Sequence, residues 1–492
     1  MTDPANPGAA PITGTTTATA SRDYCVKVDV TGLSPAKVYT YSFKALTAGG
    51  DVASPTGRTK TTAASGDAPV KLAFVSCSNW QFGFFNAYEA LSQEADLDVI
   101  IHLGDYFYEY GIDGYGGDVA QQIGRLHDPV TETVTLDDYR TRHRQYKTDP
   151  NLQAAHAAAP WICTWDDHES ANNSYRTGAQ NHNPEENEGD WSDRKQAAIQ
   201  AYFEWQPLRE PVSGDITSAV WRSFTFGDVA SVHALESRLT GRSPDISWFE
   251  ALAGATDPDS MMPRIAETVA AINAPDRTML GMEQEAWLAG ELKRSAEGGK
   301  PWQVLANQVV MARTKLPPLM QLMTPEQIAA QDNPFVQQMI AFSALGQPMN
   351  PDAWDGFPAA RERLYQGAEA AGARLVTLAG DTHTAWANTL YDANGAKRGV
   401  EFGCTSITSP GSGAYLSGMP TYGELLAQAN DEVNWHDPFG HGYTLVTLTK
   451  DKVEAKFRKV SDILSDSYTV DTVAVFETAR DGDGLSDLVR TV

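Results

Sequence analysis

The chain alternates short apolar runs with polar, glycine-punctuated stretches, and several of the runs stop abruptly. Val99-Ile100-Ile101, extended by His102-Leu103, stops at Gly104-Asp105, and Leu72–Val75 stops at Ser76-Cys77. Trp161–Trp165 gives way to Asp166-Asp167-His168-Glu169, and Arg374–Ala379 to Gly380-Asp381-Thr382-His383. Continuous apolar runs of this length predict parallel strands buried on both faces, and ligands collect outside the carboxyl ends of such strands. Four strand ends, each delivering a metal-competent side chain, predict one shared site.

Helical periodicity predicts helices over Phe85–Glu94, Ser192–Trp205, Glu283–Ala296 and Ala359–Ala371, and Trp302–Ala306 reads as a further strand. Strands alternating with helices give an α/β class. Gly111–Val134, Gly178–Asp190, Gly241–Ala274 and Lys315–Asp355 lack strong periodicity and read as long functional or lid-like loops. Upstream, residues 1–22 are rich in Pro, Gly, Thr and Ala and predict a flexible lead-in. Alternating runs at Tyr24–Val30 and Val38–Lys44, followed by Gly57–Thr61, predict a partial β-sandwich over residues 23–62. Residues 63–69 (AASGDAP) form a linker, and a large unit occupies residues 70–492.

With 492 residues, 42% of them hydrophobic, the chain has material for one large core or two. A formal net charge of −25 argues against nucleic acid as a partner, because phosphate backbones are met by clustered Lys and Arg. The excess acid is either a solvated surface or a site neutralised by bound cations. Four cysteines (Cys25, Cys77, Cys163, Cys404) are too scattered for a disulfide framework or a CxxC zinc site. Cys25, Cys163 and Cys404 read as buried thiols, whereas Cys77 ends a strand. No segment reaches the roughly 18 apolar residues of a membrane helix, and the N-terminus shows no signal-peptide pattern.

The sequence has no G-x-S-x-G elbow, no P-loop and no G-x-G-x-x-G, and Asn172 stands where a zincin needs its second His. Asp105 has two carboxylate oxygens and can bridge two cations about 3.5–4 Å apart. Tyr108, three residues on, can point to the same side. It reads either as a core tyrosine or as a phenolate, which requires a strong Lewis acid such as Fe(III). Cys77 reads as a thiolate on the same ion or as a structural thiol. Asp167 suits a ligand and His168 a proton handler, the alternative being an Asx-capped turn. Asp381 and His383, two apart in an extended segment, face the same way and suit two adjacent ions. Asn307 offers a carbonyl oxygen fit for Ca²⁺, or an Asx turn. His441, flanked by glycines, is a secondary candidate.

Taken in order, Ser76-Cys77, Gly104–Glu109, Asp138–Arg140, Trp165–Asn173, Gly281–Trp287, Asn307–Val309, Asp352–Gly356 and Gly380–His383 resemble the PhoD-like alkaline phosphatases of the calcineurin-like metallophosphoesterase superfamily. The resemblance runs from Tyr24 to about Lys459. It implies a four-layer metallophosphoesterase-type β-sandwich flanked by helices, preceded by a partial fibronectin-III-like β-domain. It also implies Fe(III) held by Cys77, Asp105, Tyr108 and His383, and Ca²⁺ held by Asp105, Asp167, Asp381 and Asn307, with His168 beside the substrate. The expected activity is hydrolysis of small phosphate mono- and diesters by a metal-bound oxygen. The expected setting is a periplasmic or secreted monomer serving phosphate acquisition. A phospholipase D-type diesterase and a non-catalytic, Ca²⁺-stabilised surface protein are the competing readings. Two departures bear on loop geometry near the pocket. Leu235-Glu236-Ser237-Arg238 stands where the family carries Leu-Asp-Thr-Arg, and Arg242–Asp276 is enlarged.

Overall fold

Strands from distant parts of the chain assemble into two large sheets that share one core. The structure, a computed structural model, describes residues 1–210, 220–255, 257–329, 331, 334–348, 350–416 and 419–492. The N-terminal region holds β1 (Val38–Tyr41), β2 (Lys44–Thr47), β3 (Gly50–Ala53) and β4 (Gly57–Lys60). Then come β5 (Val70–Val75), β6 (Val99–His102), β7 (Trp161–Cys163), β8 (Arg222–Phe226), β9 (Ala230–Ala234) and β10 (Trp302–Ala306). They are followed by β11 (Leu375–Ala379), β12 (Ala385–Tyr391), β13 (Lys397–Gly403) and β14 (Val433–Asp437). The last five are β15 (His441–Leu448), β16 (Lys452–Val460), β17 (Val470–Asp481), β18 (Gly484–Leu485) and β19 (Val489–Arg490).

One sheet has the order β18-β17-β16-β15-β5-β6-β7 with β19 beside β17, and the other β14-β12-β13-β11-β10-β9-β8. β5, β6 and β7 are parallel, as are β9, β10, β11 and β13. Inward side chains of the two sheets (Leu72, Phe74 and Ile101; Val232, Val304 and Val376) form one apolar cluster. The opposite faces are buried too. Ala73, Val75 and Ile100 pack with Tyr88, Leu91 and Tyr202, and Leu305 and Leu375 pack with Leu288, Leu292 and Leu364. Those partners lie on the helices Asn86–Ser92, Trp191–Trp205, Met282–Glu297 and Pro358–Ala371, close to the predicted bounds. Burial on both faces is why these strands read as continuous apolar runs. Register sets Val75 beside His102 and His102 beside Cys163, so the three strands end at one level.

Three expectations need correction. Tyr24–Val30 alternates but forms no strand. It lies against residues 206–209 through side chains instead, Lys27 donating to the Gln206 carbonyl and Arg209 donating to Asp29 at 3.0 Å. The N-terminal strands accordingly form only two two-stranded sheets, β1-β4 and β2-β3. Cys25 is half-buried rather than buried, while Cys163 and Cys404 are buried as expected. The long aperiodic segments are not plain loops. Gly111–Val134 holds the helix Gly117–Ile123, and Gly241–Ala274 holds Trp248–Ala251 and Pro258–Ile272. Lys315–Asp355 holds Leu319–Leu322, Pro325–Ala329 and Pro334–Ser343. Residues 256, 330, 332, 333 and 349 of these segments lie outside the described residues. The last two segments pack on each other: Trp248 Nε1 donates to the Pro348 carbonyl at 2.8 Å, and its ring lies 5.4 Å from that of Phe342. Among the described residues no helix is long and apolar enough to cross a membrane.

Candidate metal centre

The strand ends converge because their backbones turn sharply there. Cys77, Asp105, Asp381 and His383 all have left-handed backbones, with φ of 62°, 55°, 62° and 60°. Only a few per cent of non-glycine residues do this, and such strain concentrates at functional sites. Gly104 must be glycine, since a Cβ there would sit 2.3 Å from the Asp166 nitrogen. Cys77 N–H donates to the Gly104 carbonyl (3.2 Å) and Ser78 N–H to the Asp105 carbonyl (2.8 Å), tying the first two turns together. The buried Glu169 carboxylate ties in the third, accepting from the N–H groups of Asp105 (3.0 Å), Tyr106 (2.6 Å) and Asp166 (2.8 Å).

Three ligand groups result, each with donor atoms within 4.8 Å of one another: Cys77, Asp105 and His383; Asp105, Asp167 and His168; Asp166, Asp167 and Asp381. Asp105 and Asp167 are shared, so the groups run in a row. The Tyr108 hydroxyl lies 3.0 Å from Asp105 Oδ2 and 3.0 Å from His383 Nε2, and accepts from Ser409 Oγ at 2.7 Å. Asp381 and His383 serve the two outer groups of the row, with the Asp105–Asp167–His168 group between them, rather than adjacent ones, and they do so through left-handed turns; the extended segment expected there does not form. Asn307 lies at the end of β10, where its Oδ1 accepts from Trp354 Nε1 at 3.0 Å and its Nδ2 donates to the Val309 carbonyl. His441 Nδ1 lies 3.0 Å from Ser406 Oγ, and burial followed by the nearby His383 lowers its pKa to about 4.

The electrostatics describe a cluster short of positive charge. Burial, reinforced by Asp167 and Asp166 and opposed by His168, pushes Asp105 well above the usual carboxylate range. Burial with Asp166 and Asp352 does the same to Asp381. The Cys77 thiol is raised by burial and Asp105, and the Tyr108 phenol by burial, Asp105 and Cys77. Asp105 Oδ1, Asp166 Oδ2 and Asp167 Oδ1 are buried with no hydrogen-bond partner among the described residues. Buried oxygens left unpartnered in this way are costly, and a cation satisfies them. The donor types differ along the row. A thiol, a phenol, an imidazole and a carboxylate meet at one end and carboxylates alone at the other, which fits two unlike cations.

Two buried side chains complete the site, and sequence reasoning gave neither a role. Glu109 Oε2 accepts from His168 Nδ1 at 2.6 Å, while its Oε1 accepts from the Asn172 N–H and Asn181 Nδ2, both at 2.8 Å. Burial opposes charge on His168, yet Asp167, Glu109 and Asp105 outweigh it and raise its pKa well above the ordinary value. Arg238 is fully buried among carboxylates, donating to Asp166, to Asp352 at 2.7 Å and to Asp381 at 3.4 Å, with Asp167 at 3.8 Å. Glu236 positions it, accepting from the N–H groups of Arg238 (2.8 Å) and Leu239 (2.6 Å) and from Trp165 Nε1 (2.7 Å). The signal for both was their place inside motifs already singled out, Gly104–Glu109 and Leu235–Arg238.

The family model described as PhoD-like phosphatase matches residues 72–457, which includes every residue of this cluster. The chain belongs to the PhoD-like phosphatase family. The model for the N-terminal domain of PhoD-like phosphatases matches residues 3–63. Alkaline phosphatase D of Bacillus subtilis (strain 168) is 33% identical over 489 residues, covering 97% of this chain and 73% of that protein. A solved structure titled "Structure of PhoD" matches with a TM-score of 0.73 at 30% identity, covering 97% of this chain and 82% of that one. The protein is thus a phosphatase, an enzyme of phosphoester hydrolysis on a mixed α/β fold.

Proposed function

We propose that this PhoD-like phosphatase hydrolyses small phosphate mono- and diesters with Fe(III) and Ca²⁺ as its cations. Cys77, Asp105, Tyr108 and His383 would hold the iron, and Asp105, Asp167 and Asp381, with Asn307, the calcium. The observation that carries this reading is Asp105, whose carboxylate is common to the Cys77–His383 group and the Asp167–His168 group. Two cations bound in this way neutralise and polarise a phosphate. Asp105 would be the one ligand common to both cations and Asp167 would serve the calcium, and Glu169 holds the turns at Asp105 and Asp166. His168 is anchored through Nδ1 to Glu109, which leaves Nε2 to exchange a proton with the ester oxygen.

The same reading takes the two facing sheets and their outer helices as the four-layer metallophosphoesterase sandwich, with a catalytic unit over residues 70–492. It takes residues 23–62, joined through the 63–69 linker, as a partial fibronectin-III-like domain. It further takes the enzyme to be a periplasmic or secreted monomer. Family membership sets aside the non-catalytic surface protein. The phospholipase D-type alternative differs only in the ester preferred. The test pairs chromogenic phosphate mono- and diester assays with iron and calcium quantification on the purified protein. Turnover that is lost on calcium chelation and restored by calcium, with iron retained, is expected. Full activity in protein free of both metals overturns the proposal.

A further inference from the structure

The rim of the metal cluster is built from tyrosines. Tyr110 follows Glu109 directly, and its ring lies 5.6 Å from His168. Tyr115 meets Tyr110 edge-on at 5.9 Å and Phe82 edge-on at 4.7 Å, and its ring is tilted against that of Tyr108 at 6.1 Å. The side chain of Tyr115 is hydrogen-bonded to that of Tyr415. Tyr415 ends the short helix Ser412–Tyr415, just past Pro410, whose carbonyl lies 3.0 Å from His383 Nδ1. The three rings are therefore tied to both sides of the cluster, through His168 on one and the His383 loop on the other.

These tyrosines differ from their neighbours in exposure. Tyr106 and Tyr108 are buried, at 1% and 0% accessible, whereas Tyr110 and Tyr115 are half-buried and Tyr415 is 36% accessible. The Tyr110 hydroxyl has no hydrogen-bond partner among the described residues and is not sealed from solvent. Part-exposed tyrosine rings line this rim. The guanidinium groups that reach this region are already committed. Arg238 serves the carboxylates, and Arg142 donates to the carbonyls of Tyr108, Asp128 and Pro129.

All phosphoesters present the same phosphate and differ in the alcohol released. A wall of tyrosine faces distinguishes those alcohols by flatness, because aromatic rings stack on planar groups at centroid separations of about 4.5–7 Å. We propose that Tyr110, Tyr115 and Tyr415 form a stacking wall that selects phosphoesters whose leaving alcohol carries a planar ring, either an aryl group or a nucleobase. This rests on the phosphatase reading of the site.

The experiment compares KM and kcat for phenyl phosphate, a nucleoside monophosphate and glycerol phosphate in wild type, Tyr415→Leu, Tyr115→Leu and Tyr115→Phe. The leucine variants are expected to raise KM for the planar esters about tenfold more than for glycerol phosphate. Tyr115→Phe keeps the ring and is expected to keep the preference for planar esters over glycerol phosphate. Tyr415 lies at the surface, so its variant tests the wall without threatening the fold. Competition separates the two sources: adenosine competing in wild type but not in the leucine variants marks a nucleobase wall, and phenol doing so alone marks an aryl wall. Equal KM changes for all three esters, or changes confined to kcat, overturn the proposal. Wild type that hydrolyses none of these monoesters and no chromogenic diester overturns the phosphatase reading itself, and the wall falls with it.

Discussion

Glu109 Oε2 lies 2.6 Å from His168 Nδ1, and both groups are buried, His168 as a member of the Asp105–Asp167–His168 group. The carboxylate fixes which imidazole nitrogen is anchored and supports the charged form of the ring.

Glu109→Gln keeps the shape and removes the charge. His168 has its pKa raised by Asp167, Glu109 and Asp105 against the effect of burial, so losing Glu109 lowers it. A proton donor with a lower pKa is emptied at lower pH, and the basic limb of the rate profile moves downwards. A fall in kcat of about 10–100-fold should accompany this, the usual cost of losing a group that orients an active-site histidine. pH–rate profiles of wild type and variant check both effects. An unchanged basic limb would show that Glu109 does not act through His168.

Arg238→Met removes the positive charge shared by Asp166, Asp352, Asp381 and Asp167. Breaking a buried ion pair by deleting one partner costs about 3–5 kcal/mol, because the remaining charges stay buried. The melting temperature in chelator should therefore drop by several degrees. Millimolar Ca²⁺ should recover more stability in the variant than in wild type, since it supplies charge to the same carboxylates. Identical melts for both proteins in chelator would falsify this role.

The strand ends were legible in the sequence because burial on both faces leaves an unmistakable pattern. Leu72–Val75, Trp302–Ala306 and Arg374–Ala379 fall on β5, β10 and β11 within two residues. Cys77, Asp105, Asp167, Asp381 and His383 could be placed at one site for the same reason. The supporting contacts left no such trace. Glu109 meets His168 across 59 residues and Arg238 meets Asp381 across 143, so their roles come from tertiary packing alone. Pro258–Ile272 was missed because Pro263 interrupts it, although Asp257 and Ser260 form a capping box at its start. Tyr24–Val30 failed in the opposite direction. Alternation specifies a strand only when a neighbouring edge is there to pair with, and this segment packs by side chains instead.

Tyr108 and Cys77 allow an optical test of the iron assignment. A phenolate or thiolate on Fe(III) donates charge into the metal and colours the protein, whereas Zn²⁺ or Ca²⁺ in the same place would not. Tyr108→Phe keeps the buried ring, so the fold should persist while the visible band shifts or fades. Cys77→Ser should alter the same band and weaken iron retention, since an alkoxide forms far less readily than a thiolate with pKa near about 8.5. Absorption spectra with iron quantification check this. A colourless, iron-free and fully active wild type would sink the assignment.

Three buried histidines that belong to none of the ligand groups are expected to make stability depend on pH. Burial lowers the pKa of His102 to about 3, with help from Lys147, and that of His233 to about 4, with help from Arg294. Burial also lowers His436 to about 3, against the Ala385 carbonyl 3.1 Å from its Nδ1. Each is neutral in the folded protein down to these values, while the unfolded chain takes up a proton near about 6.5. The unfolded state therefore binds more protons below that pH, and stability falls as pH drops from about 6.5 towards the folded values. The slope is roughly 1.4 kcal/mol per pH unit for each imidazole, so about 2 kcal/mol each is lost by pH 5. The His436 ring packs against that of Trp386 at 3.8 Å, tilted by 35°, so His436→Gln should lower the melting temperature at neutral pH through lost packing. The variant should nevertheless lose less stability than wild type between pH 7 and 5, because one proton-accepting group has gone. Melting curves across that range for both proteins decide the matter, and parallel pH profiles would show that His436 is not a source of the acid sensitivity.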